Sequence, residues 1–161
     1  MDVDEVITNL KGELSQEVSI EEAENCSPRA IIVPPELLKK VCEILYRNKN
    51  FYFDMLSCLT GLDNGPEANT MEVIYNLYSI PFDQSLMIKV ILDREKAQVD
   101  SVVDIWRTAD WHEREAFDLY GIQFIGHPDL RRILLPADWE GHPLKKDYEH
   151  QKYYRGIKVE Y

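Results

Sequence analysis

The sequence predicts an α+β protein: a mostly antiparallel sheet with flanking helices, followed by an extended, irregular C-terminal tail. Three observations carry this. The runs 71–80 and 86–92 alternate apolar and polar residues, and the link Pro81-Phe82-Asp83-Gln84 between them is of hairpin length. Stretches on either side place apolar residues three and four apart, the spacing of one helix face. From Ile122 onward neither period persists, and His127-Pro128, Leu135-Pro136 and His142-Pro143 force extended or turning backbone before each proline.

In order along the chain, Val3, Val6, Ile7, Leu10 and Leu14 form one stripe of an N-terminal helix expected to pack on the body. An acidic connection leads to a strand at Ala30-Ile31-Ile32-Val33, ended by Pro34-Pro35, which also preset the first turn of a helix. Leu37, Leu38, Val41, Cys42 and Leu45 give that helix its apolar face, and Asn48-Lys49-Asn50 should stop it. Strand-like runs follow at 55–62, 71–80 and 86–92, the second alternating through Met71, Val73, Tyr75 and Leu77. Beyond Asp100 a helical pattern returns, first at Val102, Val103, Ile105 and Trp106, then over 111–120, with Gly121 placed to end it. The expected organisation is an N-terminal helix and acidic connection (1–27), a globular body (28–121) and a partner-docking tail (122–161). Tyr148, Tyr153, Tyr154 and Tyr161 are too much aromatic surface for a disordered end, so the tail should order against something.

Composition narrows the function classes. A net charge of −11 over 161 residues argues against a nucleic-acid binder, which needs a concentrated basic surface. Asp2, Asp4, Glu5, Glu13, Glu17, Glu21, Glu22 and Glu24 crowd the start, whereas Arg131, Arg132, Lys145, Lys146, Lys152, Arg155 and Lys158 mark the end. Cys26, Cys42 and Cys58 form no CxxC or Cys/His cluster, so no iron–sulfur or zinc site is suggested and a reducing cytoplasm fits. No window reaches the roughly 20 apolar residues of a membrane span, and the start resembles neither a secretory signal nor a transit peptide. GxGxxG, P-loop and HExxH motifs are absent.

The densest segment is 110–121. On a helix Trp111, Arg114, Glu115 and Asp118 share one arc, and His112, Ala116, Phe117, Leu119 and Tyr120 the other, which leaves Glu113 as a carboxylate in the apolar arc. Two arrangements suit Glu113: a capping box with Asp110 as N-cap, or a buried pair with Arg131 or Arg132 folded back over the helix. Arg114 and Asp118 have the i,i+4 spacing of an ion pair, worth only about 0.3–0.5 kcal/mol if exposed, so a partner surface is the other use of this charge. Glu113 and Glu115 point about 160° apart on a helix and cannot flank one substrate. A metal site drawing on His112, Glu115, Glu113, His127 and His142 depends on an unspecified chain reversal, and local turns explain the two histidines before proline.

The run Glu113-Arg114-Glu115, Asp118-Leu119-Tyr120, His127, Arg131, Ile133-Leu134 resembles the recurrent motif of the C-type subunits of respiratory NADH dehydrogenase (complex I). The resemblance continues through Asp138-Trp139-Glu140-Gly141-His142-Pro143-Leu144-Lys145-Lys146-Asp147-Tyr148, and the first 25 or so residues take no part in it. It implies a non-catalytic peripheral-arm component of the proton-translocating NADH:quinone oxidoreductase, on the cytoplasmic side of a bacterial inner membrane. Members of that family hold no cofactor; FMN, iron–sulfur clusters and quinone are expected on partner subunits, and no active site in this chain. It would pack on the partner that is like a hydrogenase large subunit and on cluster-bearing neighbours, its tail extending over them. Some relatives are fused to that large neighbour; a chain ending at Tyr161 is expected to be unfused. Glu113, Arg114, Glu115, Asp118, His127, Arg131, Arg132, Trp139, Lys145, Lys146 and Tyr148 are the candidate structural or interface residues, with Arg131, Arg132, Lys145 and Lys146 expected to meet partner carboxylates. The alternatives are the equivalent component of a membrane-bound hydrogenase or other donor complex, and, from another class, a metal-dependent hydrolase built on His112, Glu115 and His127.

Overall fold

The structure, a computed structural model, describes residues 3–14 and 19–159; Asp2, Glu17 and Tyr161 lie outside the described residues. Helix α1 (Val3–Leu14) buries Val3, Val6, Leu10 and Leu14, the expected stripe. Burying each such side chain contributes up to about 2 kcal/mol, and this burial holds so short a helix together.

Strands β1 (Glu21–Ala23) and β2 (Ala30–Ile32) precede a 3₁₀ turn, Pro35–Leu37, that runs into α2 (Leu38–Arg47). Pro35 opens the turn, and α2 ends where Asn48 turns to extended backbone. The meander follows as β3 (Met55–Asp63), β4 (Thr70–Ser79) and β5 (Gln84–Asp93), antiparallel throughout and registered by pairs such as Ser79↔Gln84 and Leu56↔Leu77. Strand β2 joins the far side of β5 in parallel, so the sheet order is β1-β2-β5-β4-β3. Met71, Val73, Tyr75 and Leu77 of β4 and Leu86, Ile88, Val90 and Leu92 of β5 face one core, shared with Val41, Cys42 and Leu45 of α2. The helices thus cover one face of the sheet. Cys42 is a free thiol in that core, and burial pushes its pKa up, which keeps it protonated.

Beyond β5 lie β6 (Gln98–Asp100), α3 (Ala109–Tyr120) and β7 (Gln123–Ile125), then a small hairpin of β8 (Tyr153–Tyr154) and β9 (Ile157–Lys158). Three features differ from the sequence expectation. The segment 102–106 is a single turn rather than a helix, the N–H groups of Ile105 and Trp106 both reaching the Val102 carbonyl. Its apolar residues serve burial instead, Trp106 donating its indole N–H to the Phe53 carbonyl at 3.1 Å. The acidic connection contains a strand, β1, where the Arg29 guanidinium grips Glu22 beside the β1–β2 pairing. Finally, the body runs past residue 121: Ile122 and Phe124 are core residues, and β7 pairs in parallel with β6. A three-residue strand is too short to show a period.

Candidate functional site

Helix α3 sits between two layers. One side lies across β3, where it approaches so closely that a Cβ on Gly61 would stand 2.8 Å from Tyr120 Cδ2. Gly121 closes the helix in the left-handed region, at φ 80°, and turns the chain into β7. The chain then returns over the other side of α3, and this return explains why Arg114 and Asp118, on the arc that reads as polar, are both buried. Helical periodicity cannot distinguish a solvated polar face from one covered by a polar strap.

Asp118 is fully buried and is the centre of the return. Its Oδ2 accepts backbone N–H groups from Ile133 (3.0 Å), Leu134 (2.7 Å) and Leu135 (2.9 Å), and its Oδ1 accepts Arg132 Nη1 at 2.7 Å. Burial alone would raise this pKa, but the three N–H donors and the guanidinium outweigh it and hold the carboxyl below the usual range. Arg132 also donates to the carbonyls of Asp118, Trp139 and Gly141. One ion pair therefore stitches the end of α3 to two separate stretches of the tail. The expected Arg114–Asp118 pair does not form. Arg114 instead donates Nε–H to the Arg131 carbonyl (3.2 Å) and stacks over Trp111, its Cζ 5.1 Å from the ring centroid.

Glu113 has partners other than the two that helical spacing suggests. The capping box is absent, because α3 begins after Thr108 with Asp110 inside the helix and no side chain capping it. Neither Arg131 nor Arg132 reaches Glu113. Its Oε2 accepts the Ser101 hydroxyl at 2.6 Å and its Oε1 the Val102 N–H at 2.8 Å, which ties α3 to the turn after β6. Burial, against those two bonds and with Asp110 and Asp104 nearby, raises the Glu113 pKa to about 7. The buried His127 ring stands 3.9 Å from Glu113 Oε2. Its Nδ1 accepts the Asp129 N–H (3.0 Å), which assigns the proton of the neutral ring to Nε2, facing the Asp110 carbonyl at 3.3 Å.

A second latch, at the end of the sheet, holds the tail further on. Asp63, closing β3, is buried and accepts Arg94 through both carboxylate oxygens (2.7 and 3.0 Å), the Gly65 N–H at 3.0 Å and the Lys146 N–H at 2.8 Å. The Arg94 guanidinium, first among these, holds Asp63 well below the ordinary carboxylate range. Arg94 bridges on to Asp147, with Nη1 3.1 Å from Oδ2. Between the latches the His142 ring lies over Gly121 and its Nδ1 meets the Asp118 carbonyl at 2.9 Å. Trp139 donates to the Tyr148 hydroxyl at 3.1 Å and packs on Tyr154 at 5.3 Å between centroids.

Of the residues singled out in the sequence, the structure thus brings Arg114, Asp118, Arg131 and Arg132 to one place, Glu113 and His127 to a second, and Trp139 and Tyr148 to a third. Lys146 joins the second latch through its backbone, Lys145 makes a local turn to His142, and Glu115 is exposed on α3. Sequence reasoning misses Asp63, Arg94, Ser101 and Asp147 as site residues. Asp147 stands inside the family-like motif, but no local signal links Asp63 to a residue 83 positions away. Chemically the arrangement fastens chain to chain. Among the described residues no group of three or more His, Cys, Asp or Glu side chains is placed to hold a metal, and no helix is long and apolar enough to cross a membrane.

The family model for the respiratory-chain NADH dehydrogenase 30 kDa subunit matches residues 31–154, body and tail together. The NADH-quinone oxidoreductase C-type subunit of Chloroherpeton thalassium is 51% identical over 110 residues, 68% of this chain and 45% of that protein. The corresponding protein of Chlorobium phaeobacteroides is 47% identical over 68% of this chain and 66% of its own length. The chain therefore spans less than two thirds of either. The corresponding protein of Moorella thermoacetica is 42% identical over 82% of this chain and 87% of its own length. Among solved structures, the trypsin-resistant fragment (1–134) of Nqo5 superposes with a TM-score of 0.63 at 27% identity, over 81% of this chain and all of that one. A chain of an archaeal respiratory membrane complex, the membrane-bound sulfane sulfur reductase, shares the fold with a TM-score of 0.72 at 21% identity, over 91% of this chain and 85% of that chain.

Proposed function

The chain belongs to the respiratory-chain NADH dehydrogenase 30 kDa subunit family, and we propose that it serves as the C-type subunit of a proton-translocating NADH:quinone oxidoreductase, a non-catalytic part of the peripheral arm. In this reading it assembles and stabilises the quinone-proximal electron-transfer module on the cytoplasmic side of the membrane. Flavin, iron–sulfur clusters and quinone reside on partner subunits. One observation carries the docking role: the most polar helix spends its buried carboxyl groups, Asp118 and Glu113, on holding chain segments rather than on an exposed reactive centre. Fastening a coreless tail along the body sets out an extended polar and aromatic surface, ending in Tyr153 and Ile157, that suits a large partner.

The second reading keeps the role and changes the donor: the equivalent component of a hydrogenase or other donor complex, favoured by the fold shared with the sulfane sulfur reductase chain. Purification of the tagged full-length chain from native membranes, with every co-purifying subunit identified, tests both. A flavoprotein that oxidises NADH together with cluster-bearing subunits is the expected company. A nickel-bearing large subunit without that flavoprotein would favour the second reading, and a chain that purifies alone would sink both.

A further inference from the structure

Trp111, Arg114 and Phe117 of α3 face Leu130, Arg131 and Ile133 of the tail across an open groove of about 590 Å³. The groove is lined by arginines at 114, 131 and 132 and by no carboxylate, in a chain whose net charge is −11. Arg132 is consumed by Asp118, and Arg131 is 72% exposed and leans on Asp129 at 2.9 Å. Arg114 is different. It is only 8% exposed, yet its one hydrogen bond goes from Nε to a carbonyl, and neither Nη group has a partner among the described residues. Its guanidinium, tied to the tail through Nε and stacked on Trp111, turns four unused N–H donors toward the groove, where an incoming anion can complete it.

We propose that this groove is a carboxylate-receiving socket for a partner subunit, in which a partner Asp, Glu or C-terminal carboxylate meets Arg114 through its Nη groups. With Nε already tied to the tail, the free Nη pair matches the two oxygens of a carboxylate. Trp111, 63% exposed and stacked on Arg114, closes one wall, and Phe117, Leu130 and Ile133 supply apolar contact for the aliphatic stem that carries the acid. A guanidinium and an exposed tryptophan in one concave site are the residue types that dominate interface energetics. The latch at Asp118 builds the socket, since it holds residues 131–133 against α3.

This inference rests on the docking role proposed above, and the test separates the two. The photo-reactive residue p-benzoyl-phenylalanine is placed at position 111, ring for ring, in the full-length chain within its native complex, and in a second sample at the exposed position 157. The socket predicts that irradiation at position 111 joins this chain to a partner peptide carrying an acidic residue or a C-terminus. Cross-links from 157 alone would leave the docking role standing and overturn the socket; cross-links from neither would overturn both. In parallel, Arg114→Gln should weaken retention of the chain by the complex on the order of tenfold or more, with the loss shrinking as salt rises. Arg114→Lys should recover part of it, because charge returns without the paired geometry. Should Arg114→Gln lower the isolated chain's own melting temperature and leave retention of the folded fraction unchanged, Arg114 is structural and the socket is refuted.

Discussion

Replacing Glu113 by glutamine should remove a pH dependence of stability that the wild-type chain carries between about pH 4.5 and 7. Glu113 is fully buried, and burial raises its pKa from 4.5 to about 7 against the bonds from Ser101 and Val102. The native chain therefore keeps this proton where the unfolded chain has released it, so raising the pH favours unfolding. Stability from this group is greatest below about 4.5, falls as the pH rises, and levels off above about 7. At about 1.4 kcal/mol for each pH unit across that interval, the fall amounts to about 3 kcal/mol. Glutamine resembles the protonated acid: its oxygen can accept the Val102 N–H and its amide can donate to Ser101 Oγ. The facing groups, His127, Asp110 and Asp104, are common to both chains, as is His142, whose pKa burial lowers and whose slope therefore runs the other way. Groups that do not interact with Glu113 cancel in the difference, and the coupling of Glu113 to its neighbours is part of what the difference measures. Urea unfolding, followed by the fluorescence of the three tryptophans, should show the wild type losing about 1 M in midpoint relative to the variant between pH 5 and pH 8, for a slope of about 2–3 kcal/mol per molar. Parallel midpoint curves for the two chains would refute the assignment of a buried, readily protonated carboxyl at position 113.

Three other outcomes follow from the latches. Asp118→Ala leaves Arg132, whose side chain is 14% exposed, without its counter-ion and releases three backbone N–H donors, and should cost about 3 kcal/mol in denaturant unfolding. Gly121→Ala puts a side chain in the left-handed region with its Cβ 2.7 Å from His142 Cδ2, and should cost about 2–4 kcal/mol in the same assay. Asp147→Asn loosens the second latch while sparing the Asp63–Arg94 pair, so trypsin should cut at Lys145 and Lys146 faster than in the wild type while the body's melting temperature changes little.

Much of this fold is legible in the sequence because it rests on local periodicity. The alternation in β4 and β5, the short link after Ser79 and the stripe on α1 each bury a repeating set of side chains, and a repeating set shows in one dimension. What is not legible is built by contacts between distant positions. Strands β6 and β7 pair only three residues each, too few for a period. Glu113 stands out as a misfit on its helix, but its partners, Ser101 and the Val102 N–H, lie in a segment whose apolar spacing suggests a helix. Asp118 draws attention by its spacing to Arg114, whereas its true partners are a guanidinium and backbone groups 14 to 17 residues on. Tail order is expected from its aromatic residues; that the tail orders first against its own body depends on the latches at Asp118 and Asp63.

If the body displays a fastened tail for a partner to grip, a chain ending at Ala137 should fold and yet fail to be held. Such a chain retains the core, Asp118, Arg132 and the N–H groups of 133–135, so the centre of the first latch stays, while 138–161 are lost together with the Trp139 and Gly141 carbonyls that Arg132 also meets. Co-expressed with the other subunits, it should fold with nearly the wild-type melting temperature and yet be missing from the purified complex. Its recovery in the complex at the wild-type ratio would contradict the account.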